Sequence, residues 1–127
     1  MSTRSSIAVQ AADGSIRMIY CHFDGYIEGV GTTLLENYTT LDAATALINM
    51  GDASSIGDDL DDSVFYGHDR NEDNVSAKRF TCYDEWINTA NFQSYVYLFR
   101  DGQWFLLGRR STMVLLRDAV IQEKLTG

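Results

Sequence analysis

Proline is absent from this sequence, and no apolar run approaches the roughly 20 residues that a membrane span requires. The opening MSTRSSIAV also lacks the long apolar core of a secretory signal. We therefore expect a cytoplasmic protein. Its 127 residues are enough for one domain, residues 1–127, with a core of its own, and too few for two ordinary domains.

Residues that ligate metals are equally scarce, with two cysteines and two histidines in the chain. A structural zinc site takes about four ligands, and the neighbours Cys21 and His22 fall on a predicted strand, where they point to opposite faces. The acidic run GDDLDDS has the oxygen density of a calcium loop and lacks its spacing. We expect no metal and no cofactor, and two reduced thiols, with Cys82 in the core.

The charge is strongly acidic, at −8, which argues against binding to duplex nucleic acid or to an anionic membrane. Of the ten basic residues, eight are arginines. The guanidinium group grips phosphate and carboxylate with two parallel hydrogen bonds. Some of the arginines could therefore hold an anionic ligand, and the alternative is that they pair with the eighteen acidic residues.

The N-terminal half predicts a hairpin followed by helices. Apolar residues alternate on both sides of a two-residue turn at Asp13-Gly14. In EGVGTTLLENYTTLDAATALINMGD the apolar residues recur at helical spacing, which predicts two short helices in tandem with Gly51 as the C-cap. The segment GDASSIGDDLDDSVFYGHDRNEDN then predicts a long acidic loop that holds one short strand at 64–66.

The C-terminal half predicts a strand over 75–83, a short helix over DEWINTA and a second hairpin. In YVYLFRDGQWFLLGRR two aromatic-rich runs meet at Asp101-Gly102. STMVLLRDAVIQEKL predicts a closing helix, capped by Ser111 or Thr112, whose core-facing residues are Val114, Leu115, Ala119, Val120 and Leu125. The whole pattern predicts an α+β fold, an antiparallel sheet built from N- and C-terminal hairpins and packed with helices on one face.

The best candidate for an anion site is the pair Arg109-Arg110, which follows a predicted strand and precedes a predicted helix N-terminus. Arg4 could join the pair if the two hairpins share one sheet. Several aromatic side chains could stack on a base nearby, namely Tyr20, Phe23, Tyr26, Phe92 and Trp104. The alternative is that these aromatics belong to the core and the arginines to the surface.

The loop FYGHDRNEDN is a second candidate, because loops often carry function. Arg70 either binds a ligand or anchors the loop between its acidic neighbours. Asp69 and His68 could form a catalytic pair, yet no serine or cysteine nucleophile is marked by its sequence context. The segment GVGTT lacks the lysine of a phosphate-binding P-loop. We predict no catalytic residue, and we expect the protein not to be an enzyme.

Several segments resemble one known family in the same order. They are STRSSIAV, DG, IYCHFDGYIEGVGTTLLENY, GDASSIG, YGHDRNE and YVYLFRDGQWF, and they cover most of the chain. The pattern resembles the first Thoeris anti-defence family, small phage and prophage proteins that act as nucleotide sponges. The loop departs from the family's Y-G-R-D-R-G-E at His68 and Asn71, which would make a ligand site there less basic.

The resemblance implies a protein that sequesters a cyclic ADP-ribose isomer made by a TIR enzyme and does not cleave it. It also implies binding of cyclic oligonucleotides of the CBASS type, and a homo-oligomer (a dimer or a trimer of dimers) in the cytoplasm of an infected bacterial cell. Cys21, His22 and Asp24 would then form a structural corner between strand and helix. From the chemistry of arginine with pyrophosphate, of aromatic rings with adenine and of Asn or Asp with ribose, the candidate ligand contacts are Arg4, Phe23, Asp24, Tyr26, Arg70, Asn91, Phe92, Arg109 and Arg110.

Two other functions stay open on the sequence. The first is an acidic inhibitor of a host defence or nucleic-acid-binding protein, which would act through Asp58, Asp59, Asp61 and Asp62. The second is a small hydrolase, which would use the pair at Asp69 and His68.

Overall fold

The first hairpin occupies the centre of the sheet in the computed structural model, which describes residues 3–67, 76–108 and 112–126. β1 (Ser5–Gln10) and β2 (Ile16–Cys21) are antiparallel. Their turn is longer than the predicted Asp13-Gly14 pair, because the N–H of Gly14 donates to the Ala11 carbonyl and the N–H of Ala11 to Ser15. Gly14 takes the left-handed conformation, φ 90°, that closes such a three-residue loop.

The second hairpin confirms the prediction at Asp101-Gly102. β6 (Tyr95–Arg100) and β7 (Gln103–Leu107) pair antiparallel, with Arg100 opposite Gln103. Both turn residues have positive φ, 52° at Asp101 and 77° at Gly102. That combination is the one a two-residue turn needs to match the twist of its strands.

The expectation of an antiparallel sheet is wrong, because the sheet is mixed. β1 and β6, the first strands of the two hairpins, lie side by side and run parallel. β2 also runs parallel to β3 (Ala53–Ser55), a strand that the sequence did not indicate. Three more short strands complete the sheet, namely β4 (Val64–Phe65), β5 (Lys78–Phe80) and β8 (Met113–Leu115). The strand order is β4-β3-β2-β1-β6-β7-β8, and β5 pairs with β2.

Two tandem helices follow β2, as predicted. A short π-helical segment (Ile27–Gly31) leads directly into α1 (Thr32–Asn37), and α2 (Leu41–Asn49) comes next. The hydroxyl oxygen of Thr40 caps α2 by accepting the N–H of Ala43. Gly51 follows α2 with φ 84°, so its predicted role at the helix C-terminus is confirmed. The later helices are α3 (Tyr83–Thr89) and α4 (Leu116–Thr126).

Helices cover both faces of the sheet, and the expectation of one covered face is wrong. On one face α1, α2 and α4 bury a core that includes Leu34, Leu47 and Leu116. On the other face α3 presses Trp86 into a smaller core, where its indole N–H points at the sulfur of Met18, 3.4 Å away. We call this second side the α3 face.

The C-terminal segment differs from the predicted single helix. Met113–Leu115 form the edge strand β8, which pairs with β7, and α4 begins only at Leu116. Leu116 and Val120 are buried, whereas Val114 is exposed and Leu125 is 78% exposed. Thr112 therefore precedes a strand and does not cap a helix, and Ser111 lies outside the described residues. In the described parts of the chain, each helix is too short or too polar to cross a membrane.

Candidate functional site

A polar groove opens on the α3 face where α3 no longer covers the sheet. Ser6 and Tyr20 are cross-strand partners there, two register positions beyond the buried pair Ala8 and Met18. Side chains two residues apart on a strand share a face, so this face changes from apolar to polar along β1 and β2. The groove has a volume of about 270 Å³ and is lined by Ser6, Met18, Ile19, Tyr20, Asp52, Lys78, Asn91 and Gln93.

The groove exists because two strands share the outer edge of β2 and leave a gap between them. β5 pairs with β2 from Ile16 to Met18, and β3 pairs with it at Cys21. The backbone N–H of Tyr20 falls in the gap, and it donates to the Asp52 carboxylate, 2.8 Å away. A side chain thus replaces the missing strand partner, and a backbone donor that would be costly to bury unpaired is satisfied.

Asp52 provides the carboxyl group among the residues that line the groove. Burial raises its pKa above the ordinary aspartate value, and the hydrogen bond from Tyr20 and the charge of Lys78 oppose that rise without cancelling it. A half-buried carboxylate with one lysine beside it keeps acceptor capacity for a ligand, because only one of its oxygens accepts the backbone N–H. Perturbed titratable groups in a cleft are typical of functional sites.

Tyr20 forms the aromatic wall of the groove. Burial raises the pKa of its phenol, and the nearby positive charge of Arg4 acts in the opposite direction. The phenol oxygen lies within hydrogen-bonding distance of Nδ1 of His22, and the His22 ring packs edge-to-face on Phe23 with centroids 4.5 Å apart. Arg4 and Tyr20 are therefore brought together at this end of the sheet, next to a short aromatic row.

The far wall of the groove is the extended segment between α3 and β6. The backbone N–H of Gln93 donates to Oγ of Ser6, 3.1 Å away, which fastens this segment to β1. Asn91 is exposed and lines the groove. The groove therefore contains amide, carboxylate, ammonium and phenol groups, which together can donate to and accept from a polar ligand.

The corner after β2 is built by backbone contacts around Gly25. Its N–H donates to the Thr3 carbonyl at 2.8 Å, and its carbonyl accepts the buried hydroxyl of Tyr97 at 2.7 Å. A Cβ on Gly25 would lie 2.8 Å from Ser5 Cβ, so only glycine fits. Asp24 has φ 59°, and its carbonyl accepts the N–H of Val30 in the π-helical segment.

The expected structural corner is therefore present, and its three polar residues do not converge on one point. Cys21 is buried, its thiol points at the Phe23 carbonyl 3.4 Å away, and burial raises the pKa of that thiol to about 11. His22 instead contacts Tyr20, and Asp24 is exposed. A thiol with so high a pKa is a poor nucleophile at neutral pH.

The other predicted site residues are only partly gathered at the groove. Phe23 and Tyr26 are 45% and 40% exposed on the surface of the corner. Phe92 packs on Trp86, with ring centroids 5.0 Å apart, so it belongs to the small core of the α3 face. Arg70, Arg109 and Arg110 lie outside the described residues, as do His68 and Asp69.

Two further expectations concern cysteines and metals. Both cysteines are free, but Cys82 is exposed immediately before α3, so its assignment to the core is wrong. The strand that was predicted to bury it ends at Phe80. Among the residues that the structure describes, no three histidine, cysteine or carboxylate side chains are grouped so as to hold a metal ion.

Sequence reasoning missed Asp52, Lys78 and Gln93. Asp52 follows the glycine that ends α2, and nothing local distinguishes it from the many other acids. The available signal was on the strands, where Ser6 and Tyr20 interrupt positions that are otherwise apolar, namely Ala8, Ile16 and Met18. A polar break in the buried face of a strand indicates that the cover ends there.

Comparison of the chain with known proteins identifies no relative. No family model matches the chain, no curated protein is significantly similar to it, and no solved structure matches its fold.

Proposed function

We propose that the chain is a phage anti-defence protein that binds a cyclic nucleotide immune signal and sequesters it without cleavage. The ligand is a cyclic ADP-ribose isomer, and cyclic oligonucleotides are further ligands. The sequence segments that resemble the nucleotide sponges motivate this proposal. The observation that carries it is the polar groove at the edge of β2, whose groups match the parts of a nucleotide.

Each part of such a ligand has a chemically suitable partner in the groove. The amides of Asn91 and Gln93 suit the donor and acceptor edge of adenine, and the carboxylate of Asp52 suits ribose hydroxyls. Lys78 lines the groove, and Arg4 lies close to Tyr20, so both can face the pyrophosphate. The phenol ring of Tyr20 offers an aromatic wall.

The size of the groove supports a homo-oligomer. Pockets for drug-sized ligands enclose about 300–1,000 Å³, whereas this groove has about 270 Å³ and is partly open to solvent. A dinucleotide would therefore fill the groove and extend beyond it. We propose that a second protomer provides the remaining wall, in a dimer or a trimer of dimers, and that Phe23 and Tyr26 contribute exposed aromatic surface there.

The test is capture followed by release. The purified protein is incubated with the product mixture of an activated TIR enzyme, washed by filtration and denatured by heat, and the released small molecules are identified by mass spectrometry. We expect an intact cyclic ADP-ribose isomer in near-stoichiometric amount. A cleaved product would contradict sequestration and favour the hydrolase. An empty eluate here and with cyclic oligonucleotides would contradict the proposal.

Variants locate the ligand within the protein. Lys78→Gln and Asn91→Ala should each reduce the captured amount at least about tenfold, since each loses a hydrogen bond to a charged or buried polar group. Arg79→Gln is the matched control, because it removes one positive charge from the adjacent residue, whose guanidinium lies 4.0 Å from Asp13 and not in the groove. Equal loss in all three variants would contradict a site in this groove.

A second candidate function is the acidic, protein-directed inhibitor. The four aspartates between α2 and β4 are all exposed, in keeping with a surface that could mimic nucleic acid; they are Asp58, Asp59, Asp61 and Asp62. Changing all four to asparagine should abolish such inhibition and should leave nucleotide capture intact. If this variant still inhibits, and if the parent protein captures a nucleotide, the second function is excluded.

A further inference from the structure

A second groove, which contains Arg100, lies at the other end of the α3 face. Arg100, the last residue of β6, places its guanidinium carbon 5.2 Å from the ring centroid of Tyr83 in α3 and 5.7 Å from that of Phe105 in β7. A cationic guanidinium that lies over the face of an aromatic ring is attracted to the ring. The two rings therefore fix a side chain that would otherwise be flexible.

Among the described residues, the aromatic contacts of Arg100 leave most of its hydrogen-bonding capacity unused. A guanidinium carries five N–H donors, and its attraction to an aromatic ring is not a hydrogen bond to an oxygen acceptor. The neighbouring Asp101 takes up little of this capacity, because its carboxylate lies 3.8 Å from Nε and is 86% exposed. A charge-assisted hydrogen bond is about 2.7–2.9 Å long. Within the described ranges, no other carboxylate lies within 4.0 Å of this guanidinium.

The space beside Arg100 is large enough for a small molecule. One open groove of about 530 Å³ is lined by Gln10, Tyr83, Arg100, Asp101, Phe105 and Met113. An adjoining groove of about 410 Å³, beside the turn of the first hairpin, shares Gln10, Arg100 and Asp101 with it. Arg100 is the cation common to both grooves, and Phe105 and Met113 provide half-buried apolar wall.

We propose that Arg100 is the centre of a second binding site, for a small aromatic compound that carries an oxyanion. The phosphate or carboxylate of the ligand accepts hydrogen bonds from the terminal amino groups of Arg100, and its flat ring packs on Phe105 and Met113. The site is separate from the polar groove, because Ser6 and Gln10 are four residues apart on β1, or about 13 Å. It stands whether or not the polar groove binds a nucleotide.

The experiment is an NMR titration of the ¹⁵N-labelled full chain with phenyl phosphate, benzoate and neutral benzyl alcohol. We expect saturable shifts at the backbone amides of Gln10, Asp101 and Phe105 with at least one anion, and none with benzyl alcohol. The anion that saturates at the lower concentration identifies the preferred oxyanion. Shifts that are absent with both anions, or equally large with benzyl alcohol, would overturn the proposal.

Three variants separate ligand binding from a purely structural staple between α3 and the sheet. Arg100→Gln should abolish the saturable shifts. Arg100→Lys keeps the charge and loses the planar fork, so we expect affinity to fall at least about tenfold. Arg117→Gln is the control, since it removes an exposed arginine that lines neither groove. If the folded Arg100→Lys variant binds as tightly as the parent, or if Arg117→Gln binds as weakly as Arg100→Lys, the assignment is wrong.

Discussion

The hydroxyl of Tyr97 provides a sharp test of what holds the corner after β2 in place. Tyr97 is fully buried in β6, and its hydroxyl donates to the Gly25 carbonyl at 2.7 Å. Burial raises the pKa of this phenol, so it is a neutral donor at any physiological pH. The change Tyr97→Phe removes one oxygen atom and leaves the ring and its packing unchanged.

The expected cost follows from the acceptor that is left behind. Gly25 is buried, and its carbonyl would lose its tyrosine donor inside the protein. A buried polar group without a partner costs about 1–3 kcal/mol. We expect Tyr97→Phe to lower the free energy of unfolding by about 2 kcal/mol, which corresponds to roughly 6–10 °C in Tm for a chain of this length.

Urea unfolding followed by tryptophan fluorescence measures this cost. The m-value should stay constant while the midpoint falls. Tyr95→Phe is the control, because Tyr95 is half-buried on the same strand. This change also removes a hydroxyl group, but it breaks no hydrogen bond to any residue that the structure describes. A loss below about 0.5 kcal/mol for Tyr97→Phe, the range of ordinary surface changes, would refute the argument that this hydrogen bond anchors the corner.

Three further predictions concern single residues. Burial raises the pKa of Asp52, so its ionised form is less favourable in the folded chain than in the unfolded chain. Asp52→Asn should therefore have a higher free energy of unfolding than the parent at neutral pH. This difference in free energy should shrink as the pH falls toward the usual aspartate range. A pH-independent difference in urea midpoint would contradict this. Thr40→Ala should lose about 1 kcal/mol of unfolding free energy with the cap of α2, whereas the exposed Thr39→Ala should lose almost none. Gly102→Ala should cost about 1–2 kcal/mol in the same assay, because of its φ of 77° and not because of a clash, since a Cβ there meets no atom within 4 Å.

The hairpins could be predicted because their information is local. At Asp101-Gly102 two adjacent residues accept positive φ, and the strands on either side are rich in aromatic residues. The pairing of β1 with β6 could not be predicted in the same way. About 85 residues separate these strands, and no turn sets their relative direction. The sheet is therefore mixed although both hairpins were predicted.

The C-terminal segment shows how a short apolar run can satisfy two patterns. Val114 and Leu115 fit a helical stripe with Val120, and they equally fit an edge strand. The strand forms because β7 presents an unpaired edge, and Met113 pairs there with Leu107. The spacing of four between Leu116 and Val120 then marks the true buried side of α4.

The residues of the candidate groove likewise meet only through long-range strand pairing, and the chemistry of Asp52 can be separated from its structural role. The Asp52 carboxylate accepts the N–H of Tyr20 in the gap between two strands. An amide oxygen could accept the same hydrogen bond without the cost of a half-buried charge. If Asp52 serves the fold alone, Asp52→Asn should keep nucleotide capture and gain stability. If its charge serves the ligand, the same variant should gain stability and lose capture, which is the trade expected of a functional carboxylate.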